Sequence, residues 1–513
     1  MTRPVPRDNR ALTRIALSVG LALLLLTVSA ISAATLLAKA SERSVTYRFF
    51  DEALSDLPET PSAVVWDAPA RRLGRPLTDA DRDQLGRTMT MGWQALASTL
   101  ATGVTAYLPD HFSGVALERS ELAAQDRDAR MVVLHSRLSP VYHHRDGSIV
   151  QLRSEALTVR FLLDDAGQLD EFRLTQDQTL TLLMKETKGW RLFGHVRNAV
   201  KALPPIAPVA PKPGLLVGIN YYPSASPWIR FWPDFDADIV ARDLSTIKGM
   251  GATSIRIFLQ RAPFLDPATR GKAVGDLITL LQLAADRDLT VIPTLFDMKP
   301  SYEPATWATD VLYLQTVLPP LAAAPNVAFV DLKNEPDIDF ERAGSGTVEA
   351  WLRTMLGAAQ LIAPDLPYTV GWARAASAPV MSDALNVISY HDYQDIDGSR
   401  DRLAAVRLIA AGKPVYVTEI GSSSWSGLPM ALPGSNTAQA TEVENRLTAL
   451  RGADGVFVWT LHDFPQVDVK AVGRSPWVKR LQSNFGLIAA DGTEKPIAAV
   501  LRRAKTLLME TTP

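Results

Sequence analysis

A regular alternation of short apolar runs with helical segments, repeated eight times between residues 214 and 505, constrains the fold more than any other feature. The runs are almost continuously apolar, as strands buried on both faces must be. Eight strand–helix units predict an α/β fold, a closed (β/α)8 barrel. An open doubly wound sheet is the alternative, but GINYYPSASPW follows the first run, where that fold usually has a glycine-rich phosphate loop. The predicted strands are 215–222, 254–259, 290–297, 327–335, 368–372, 387–393, 414–421 and 455–464.

A proline-rich segment, residues 203–213 (LPPIAPVAPKP), precedes the barrel. Its five prolines exclude helix and sheet interior and predict a semi-rigid spacer between two domains. Upstream, residues 41–202 begin with helical patterns, at 47–57 and 79–100, and continue with runs that alternate apolar and polar residues. This order predicts an α+β domain with an antiparallel sheet. It resembles the cone-shaped fold of the nuclear-transport-factor-2-like superfamily, and we interpret the domain as a module for positioning or for binding a partner protein.

The amino terminus predicts a membrane anchor. Residues 15–38 are 24 consecutive uncharged, mostly apolar residues, and a helix of about 20 residues spans a bilayer. Four arginines lie in residues 1–14, which predicts that this end stays in the cytoplasm and that the rest of the chain is exported. We therefore expect a single-pass protein of a bacterial inner membrane with a periplasmic catalytic domain. Secretion after cleavage of a signal peptide, at Ala38-Lys39-Ala40, is the alternative.

Composition excludes several classes of protein and site. There is no cysteine, which excludes a thiol nucleophile, a disulfide framework and thiolate metal sites. The seven histidines are scattered, so we predict neither a metal nor a cofactor. Lysine and arginine total 53 against 55 acidic residues, with no basic block, so no nucleic-acid-binding surface is expected. A neutral polymer or small molecule is the more natural partner.

Two predicted strands end in glutamate, at the face of the barrel where active sites lie. Strand four runs VDLKNEP and ends at Glu335, and strand seven runs VYVTEIG and ends at Glu419. The two strands lie on opposite sides of the ring, so these carboxylates face one another across its mouth. Retaining glycosidases have their carboxyl groups about 5–5.5 Å apart, whereas inverting ones need roughly 6.5–9.5 Å.

The paired signatures Asn-Glu-Pro and Thr-Glu-Ile-Gly resemble those of clan A glycoside hydrolases, most closely family 5, the relatives of cellulases and mannanases. The resemblance covers residues 214–505 and implies that Glu335 is the acid/base and Glu419 the nucleophile. It also implies that Asn334 binds the sugar 2-hydroxyl and that Arg256 keeps the nucleophile ionised. His391 and Tyr393 match a pair that orients sugar and nucleophile, and Trp459 matches the tryptophan beneath the cleaved sugar.

Aromatic residues near the predicted strand ends add support, because sugar faces stack on aromatic rings. We predict that five of them bind substrate: Tyr222, Trp228, Trp232, Trp372 and Trp425. Trp307 is also expected on the catalytic face, whereas Trp351 lies in a helical pattern and is expected in the core. Strand three departs from the family pattern, since it ends in Thr-Leu-Phe-Asp where many members have histidine. Four further polar residues either contact sugar or serve as helix caps and loop hydrogen-bonders: Asp297, Asp392, His462 and Asp463.

Together these features predict a retaining β-glycoside hydrolase that acts on a β-linked glucan or mannan-like chain through a covalent intermediate. Transglycosylation of an exported β-glucan is the alternative within enzymes. A non-catalytic carbohydrate-binding scaffold of a polysaccharide export complex is the alternative from another class.

Overall fold

The structure is a computed structural model, and it describes residues 64–69, 71–125, 130–187, 189–203, 209–211, 214–299, 301–427 and 432–509. The predicted anchor and most of the proline-rich spacer lie outside these residues, as does a helical pattern at 47–57. Of the helices that the structure describes, none combines the length and the apolar character needed to cross a membrane.

The carboxyl-terminal part is a closed barrel of eight parallel strands, which confirms the predicted barrel. Their order is β6-β7-β8-β9-β10-β11-β12-β15, and β15 pairs with β6 to close the ring. The strands are β6 (Leu216–Asn220), β7 (Ser254–Phe258), β8 (Thr290–Thr294), β9 (Val330–Asn334), β10 (Tyr368–Trp372), β11 (Ile388–His391), β12 (Val415–Ile420) and β15 (Gly455–Trp459). A short hairpin, β13 (Ser426–Gly427) and β14 (Leu432–Pro433), follows β12.

Helices connect the barrel strands. The first of these helices begins after Asp236. The Asp236 side chain accepts hydrogen bonds from the backbone N–H groups of Asp238 and Ile239 and so caps the start of the helix. The helices are α4 (Ala237–Gly249), α5 (Arg261–Leu265), α6 (Arg270–Ala285), α7 (Trp307–Ala323), α8 (Phe340–Ala343), α9 (Ser345–Ile362), α10 (Ser399–Ala410), α11 (Asn436–Ala449), α12 (Val469–Val472), α13 (Pro476–Gln482) and α14 (Ile497–Met509).

The amino-terminal part has a short strand, then helices, then four long strands, and its strands form a separate five-stranded sheet of order β1-β2-β3-β4-β5. Strands β2 to β5 are antiparallel neighbours, as the alternating runs predict. The elements are α1 (Asp79–Thr102), α2 (Leu108–His111), α3 (Gly114–Ala123), β1 (Val64–Trp66), β2 (Arg130–His143), β3 (Ile149–Leu163), β4 (Leu169–Glu186) and β5 (Gly189–Ala202). Resemblance to the nuclear-transport-factor-2-like fold stays a prediction.

The sheet is covered on both faces. Val150 and Leu152 of β3 belong to a core shared with α1. Val159 and Phe161, on the other face of the same strand, belong to the core of the barrel, and the Phe161 ring stacks on Trp307 of α7 at 5.3 Å. The sheet therefore packs against the barrel on the side of α7 and α9.

Candidate active site

Glu335 and Glu419 lie at the carboxyl ends of opposite barrel strands. Glu335 follows β9 in a left-handed backbone conformation (φ 48°), and its N–H donates to the Gly371 carbonyl over 2.7 Å. Glu419 lies within β12. One oxygen of each carboxylate lies within 4.8 Å of the other and of a His391 ring nitrogen. A closest oxygen–oxygen separation of this size agrees with the retaining arrangement, in which the carboxyl groups lie about 5–5.5 Å apart.

A fully buried arginine organises the base of the site. Arg256 of β7 donates to Glu419 Oε1 over 2.6 Å and to Asn334 Oδ1 over 2.8 Å. It also donates to Asp331 Oδ2 over 2.7 Å and to Asn220 Oδ1 over 2.9 Å. Burial disfavours its charge, but the negative charges of Asp331 and Glu419 outweigh that effect and raise the pKa of Arg256. The guanidinium therefore stays charged and stabilises the negative charge of Glu419.

His391 and Tyr393 connect the two glutamates. His391 Nδ1 lies 2.8 Å from Glu335 Oε1 and 3.7 Å from Glu419 Oε2, while the Tyr393 hydroxyl donates to Glu419 Oε2 over 3.1 Å. Burial lowers the pKa of His391, but Glu419 and Glu335 raise it more, so it lies above its ordinary value. Burial raises the pKa of Glu335, but the hydrogen bond and charge of His391, with Lys333 and Arg256, hold it below its ordinary value.

Three predicted aromatic residues form one cluster beside the carboxylates. Tyr222 stacks on Phe258 at 5.2 Å and contacts Trp459 edge-on at 6.2 Å. Trp228 lies 6.3 Å from Trp459, measured between ring centroids. The indole N–H of Trp459 is buried and has no hydrogen-bond partner in the described part of the protein. Tyr222 is fully buried, so it supports the cluster rather than lining an open rim.

Three tryptophans that were predicted to bind substrate or to lie on the catalytic face are buried. Trp232 is 1% exposed, and its N–H donates to the Phe258 carbonyl over 2.9 Å, which makes it a core residue. Trp372 is fully buried at the end of β10. Trp307 is fully buried under the amino-terminal sheet. The sequence predicts that a tryptophan lies at or after a strand end, but it does not predict which neighbouring element covers its ring. Trp351 is in the core, as expected.

Trp425 differs from these, because it is only partly buried after β12 and lies 6.0 Å from Trp477, which is 47% exposed. The sequence analysis did not single out Trp477. The pair places one aromatic ring on the loop after β12 and the other on α13, which follows β15 in the chain.

The four alternative polar residues divide into two kinds. Asp297 accepts a hydrogen bond from the Tyr222 hydroxyl over 3.3 Å, and burial raises its pKa despite the charges of Lys333 and Arg256. The other three contact internal side chains: Asp392 pairs with Arg402 and Arg446, Asp463 pairs with Lys495, and His462 Nε2 lies 3.0 Å from Asp243 Oδ1.

Sequence reasoning missed Asp331, Asn220 and Gly371. Asp331 is fully buried in β9 and accepts from Arg256, from Thr294 and from the Gly371 N–H. An acidic residue inside a strand that is apolar on both faces needs a buried cation, and that signal could have paired it with the arginine of β7. In the part of the chain that the structure describes, one group of carboxylate and histidine side chains, Glu335, His391 and Glu419, is close enough to hold a metal ion.

No protein-family model matches the sequence, and no curated protein matches it. Solved structures that are similar include a variant of the GH5_18 enzyme of Streptomyces cattleya in complex with Manb1-4GlcNAc, with 22% identity and a TM-score of 0.48, over 58% of this chain and 82% of that one. The exo-beta-1,4-mannosidase Op5Man5 from Opitutaceae bacterium strain TAV5 has 20% identity and a TM-score of 0.47, over 58% and 61% of the two chains. A GH5_18 protein of Bifidobacterium longum has 20% identity and a TM-score of 0.46, over 58% and 81%. At these identities and scores, the activity of this chain must be argued from its own residues.

Proposed function

We propose that residues 214–505 form a retaining β-glycoside hydrolase that acts on a β-linked glucan or mannan-like chain. One observation carries the proposal: a carboxylate oxygen of Glu335 and one of Glu419 lie within 4.8 Å across the barrel mouth. Such a short separation suits direct attack by one carboxylate on the anomeric carbon while the other protonates the leaving oxygen.

In the first step, Glu419 attacks the anomeric carbon while Glu335 gives its proton to the departing oxygen, and a covalent glycosyl-enzyme results. Arg256 stabilises the nucleophile as an anion. The proton that Glu335 needs is held within the Glu335–His391 pair, whose partners are 2.8 Å apart. A shift of that proton along the hydrogen bond from His391 protonates Glu335, so no proton has to be taken up from solvent.

In the second step, Glu335 removes a proton from a water molecule that attacks the anomeric carbon, and Glu419 is released. Both steps invert the anomeric centre, so the product keeps the configuration of the substrate. A sugar hydroxyl in place of water would give transglycosylation of an exported β-glucan. Product sizing on a defined β-glucan distinguishes the two, because larger oligosaccharides appear only if transfer occurs.

The charges around the site favour a neutral sugar. Three carboxylates, Glu335, Glu419 and Asp297, lie around the position of the cleaved ring, and Arg256 is already paired with Glu419 and Asp331. Asp297 contributes a carboxylate oxygen that can accept from sugar hydroxyls. A panel of β-linked glucan, mannan, xylan and galactan, assayed beside an anionic polysaccharide, tests this proposal, and turnover confined to the anionic polysaccharide would contradict it.

Removal of the nucleophile tests the mechanism. Glu419→Ala should abolish turnover, by roughly 10⁴-fold or more, and azide should restore it with a glycosyl azide of inverted configuration. Azide fits the space left by the carboxylate and attacks from the same side. Rescue with retained configuration would assign the nucleophile to another group.

Glu335→Ala is the matched variant. It should leave formation of the intermediate intact for substrates with good leaving groups, which depart without a proton, and should slow substrates with poor leaving groups. An equal loss of rate on substrates with good and with poor leaving groups would show that Glu335 is not the acid. A scaffold without catalysis would show no turnover in the unaltered chain on any member of the panel.

We also propose that the barrel acts outside the cytoplasm of a bacterial cell, anchored by residues 15–38. The support is the uncharged stretch of 24 residues preceded by four arginines. Protease added to spheroplasts should digest the barrel while the membrane stays closed. Release of the full activity into the medium would favour signal cleavage and secretion instead.

A further inference from the structure

A buried lysine lies beside the acid/base and takes no part in the two chemical steps described above. Lys333 belongs to β9, two positions before Glu335, and it is 3% exposed. A lysine is almost never fully buried without partners, because burial disfavours its charge. The groups that Lys333 contacts therefore indicate what a cation does at this point of the barrel.

The side chain of Lys333 contacts the peptide bond that joins Asn334 to Glu335. Its ammonium group donates to the Asn334 carbonyl oxygen. The N–H group of the same peptide bond, which belongs to Glu335, donates to the Gly371 carbonyl of β10 over 2.7 Å. The plane of this peptide is therefore fixed at both ends, by a side chain of β9 and by the backbone of β10.

This peptide needs support because Glu335 has a left-handed backbone conformation. Its φ of 48° is one that residues other than glycine rarely adopt, at a cost of about 1–3 kcal/mol. A rotation of the peptide toward an extended conformation would point the carboxylate in another direction. Hydrogen bonds at both ends of the peptide oppose that rotation.

The positive charge of Lys333 acts on several carboxylates. Its ammonium nitrogen lies 3.8 Å from Asp339 Oδ2, at the end of the turn Pro336–Asp339 that follows Glu335. Burial raises the pKa of Asp297 and of Glu335, and the charge of Lys333 opposes this effect at both residues. The lysine therefore favours the ionised form of Glu335, which acts as the base in the second step.

We propose that Lys333 is a positioning residue for the acid/base. It holds the Asn334–Glu335 peptide, so that the Glu335 carboxylate stays beside the leaving oxygen in the first step and beside the attacking water in the second. This inference rests on the proposed hydrolase and extends it to a residue that acts through its neighbour.

Lys333→Met tests the proposal, because methionine is an unbranched side chain without a charge or an N–H donor. For substrates with poor leaving groups, which need a well-placed proton donor, kcat/KM should fall by about 10- to 100-fold. For substrates with good leaving groups, kcat/KM reports formation of the intermediate and should change by less than about 2-fold.

Lys413→Met is the control. The ammonium group of Lys413 also donates to backbone carbonyls, those of Ser382 and Leu385, but this lysine precedes β12 and lies at the amino end of the strand. A general loss of structure would lower kcat/KM on both substrate classes together. The same ratio between the two classes in Lys333→Met as in Lys413→Met would overturn the proposal. If Lys333→Met fails to fold by circular dichroism, Lys333→Leu, which also lacks charge and donor, takes its place.

A second measurement does not depend on turnover. Water-soluble carbodiimide modifies protonated carboxyl groups, and peptide mass spectrometry reports the modification of Glu335, whose side chain is 26% exposed. Lys333→Met should move the pH midpoint of this labelling upward, because it removes a positive charge near the carboxylate. The other charged groups that face Glu335 stay in place: His391, Arg256 and Glu419.

An unchanged labelling midpoint in Lys333→Met would overturn the proposal. The midpoint in Lys413→Met should equal that of the unaltered chain. If the unaltered chain turns over no substrate, the proposed hydrolase fails, whereas the labelling of Glu335 still tests Lys333. The two proposals can therefore fail separately.

Discussion

The absence of a side chain at Gly371 leaves space for the charged groups of the candidate active site to pack closely. A Cβ atom at this position of β10 would lie 2.8 Å from Asp331 Oδ2, 3.1 Å from an Arg256 guanidinium nitrogen and 3.3 Å from His391 Nε2. All three neighbours are buried, and the first two are held by an ion pair. A glycine inside a barrel strand is thus explained by close approach rather than by a turn.

Gly371→Ala should therefore displace Arg256 and reduce kcat/KM by about 10- to 100-fold, because small errors of position are costly at an active site. Stability should fall by about 1–3 kcal/mol, the usual cost of overpacking. Gly275→Ala is the control: nothing lies within 4 Å of its Cβ position, and alanine favours helix α6. Steady-state kinetics and thermal unfolding measure both effects. Similar activity in the two variants would contradict the role of Gly371.

His391 should control the basic limb of the pH profile. Its raised pKa means that the Glu335–His391 pair keeps one proton above the ordinary histidine value of about 6.5, and activity is lost as the pH rises through that raised value. In His391→Asn, Glu335 must hold the proton alone, starting from an ordinary value of about 4.3 that burial raises. The basic limb of kcat/KM should then move to lower pH. A limb that stays in place would assign the proton to another group.

At the scale of elements, the positions of the barrel strands could be predicted from the sequence, whereas the burial of the tryptophans could not. Apolar runs of five or more residues in a βα repeat leave few arrangements other than a barrel, and all eight strands are present. Glu335 and Glu419 were found because each ends a strand. The burial of Trp232 and Trp307 was not predicted, because it depends on elements that are distant in sequence. Asp331 was missed because its partner, Arg256, lies 75 residues away.

The loop after β8 supports the turn that follows Glu335. The Tyr302 hydroxyl donates to Asp339 Oδ2 over 2.8 Å, and Asp339 ends the short turn Pro336–Asp339 that Glu335 precedes. Arg342 donates to the other oxygen of Asp339 over 3.0 Å. On its far side, the loop contacts α1 of the amino-terminal domain through Pro304–Thr306. A chain of contacts therefore runs from that domain to the turn that follows Glu335.

Tyr302→Phe removes the hydroxyl from this bridge and loosens the turn. We expect kcat to fall by about 10-fold for substrates with poor leaving groups, since hydrogen bonds to charged groups contribute about 1.5–3 kcal/mol and part of that is recovered by solvent. For substrates with good leaving groups, kcat/KM, which reports formation of the intermediate, should be unaffected. Tyr368→Phe is the control, because its hydroxyl donates to the Ala359 and Ala363 carbonyls instead. An equal loss on both substrate classes would show a structural effect only.

At the scale of the whole molecule, the sheet and the barrel share one core. Val132 and Leu134 of β2 and Val159 and Phe161 of β3 pack into the same apolar cluster as the barrel helices. The Ser345 hydroxyl donates to Gln168 over 3.0 Å at the edge of this contact. Separation of the two parts would expose these apolar side chains to water, so the folded barrel stabilises the sheet and the sheet stabilises the barrel.

Gly346 of α9 is a point of close backbone approach between the two parts, and it carries the last prediction. A Cβ atom there would lie 2.4 Å from the Gly167 carbonyl oxygen and 2.7 Å from the Leu169 backbone nitrogen, which belong to the turn between β3 and β4. Backbone cannot rotate away as a side chain can. Gly346→Ala should therefore lower the free energy of unfolding by about 1–3 kcal/mol, although alanine favours a helix. Calorimetry should show one transition for the unaltered chain, at lower temperature in the variant. Two separate transitions in the unaltered chain would mean that the shared core does not couple the parts.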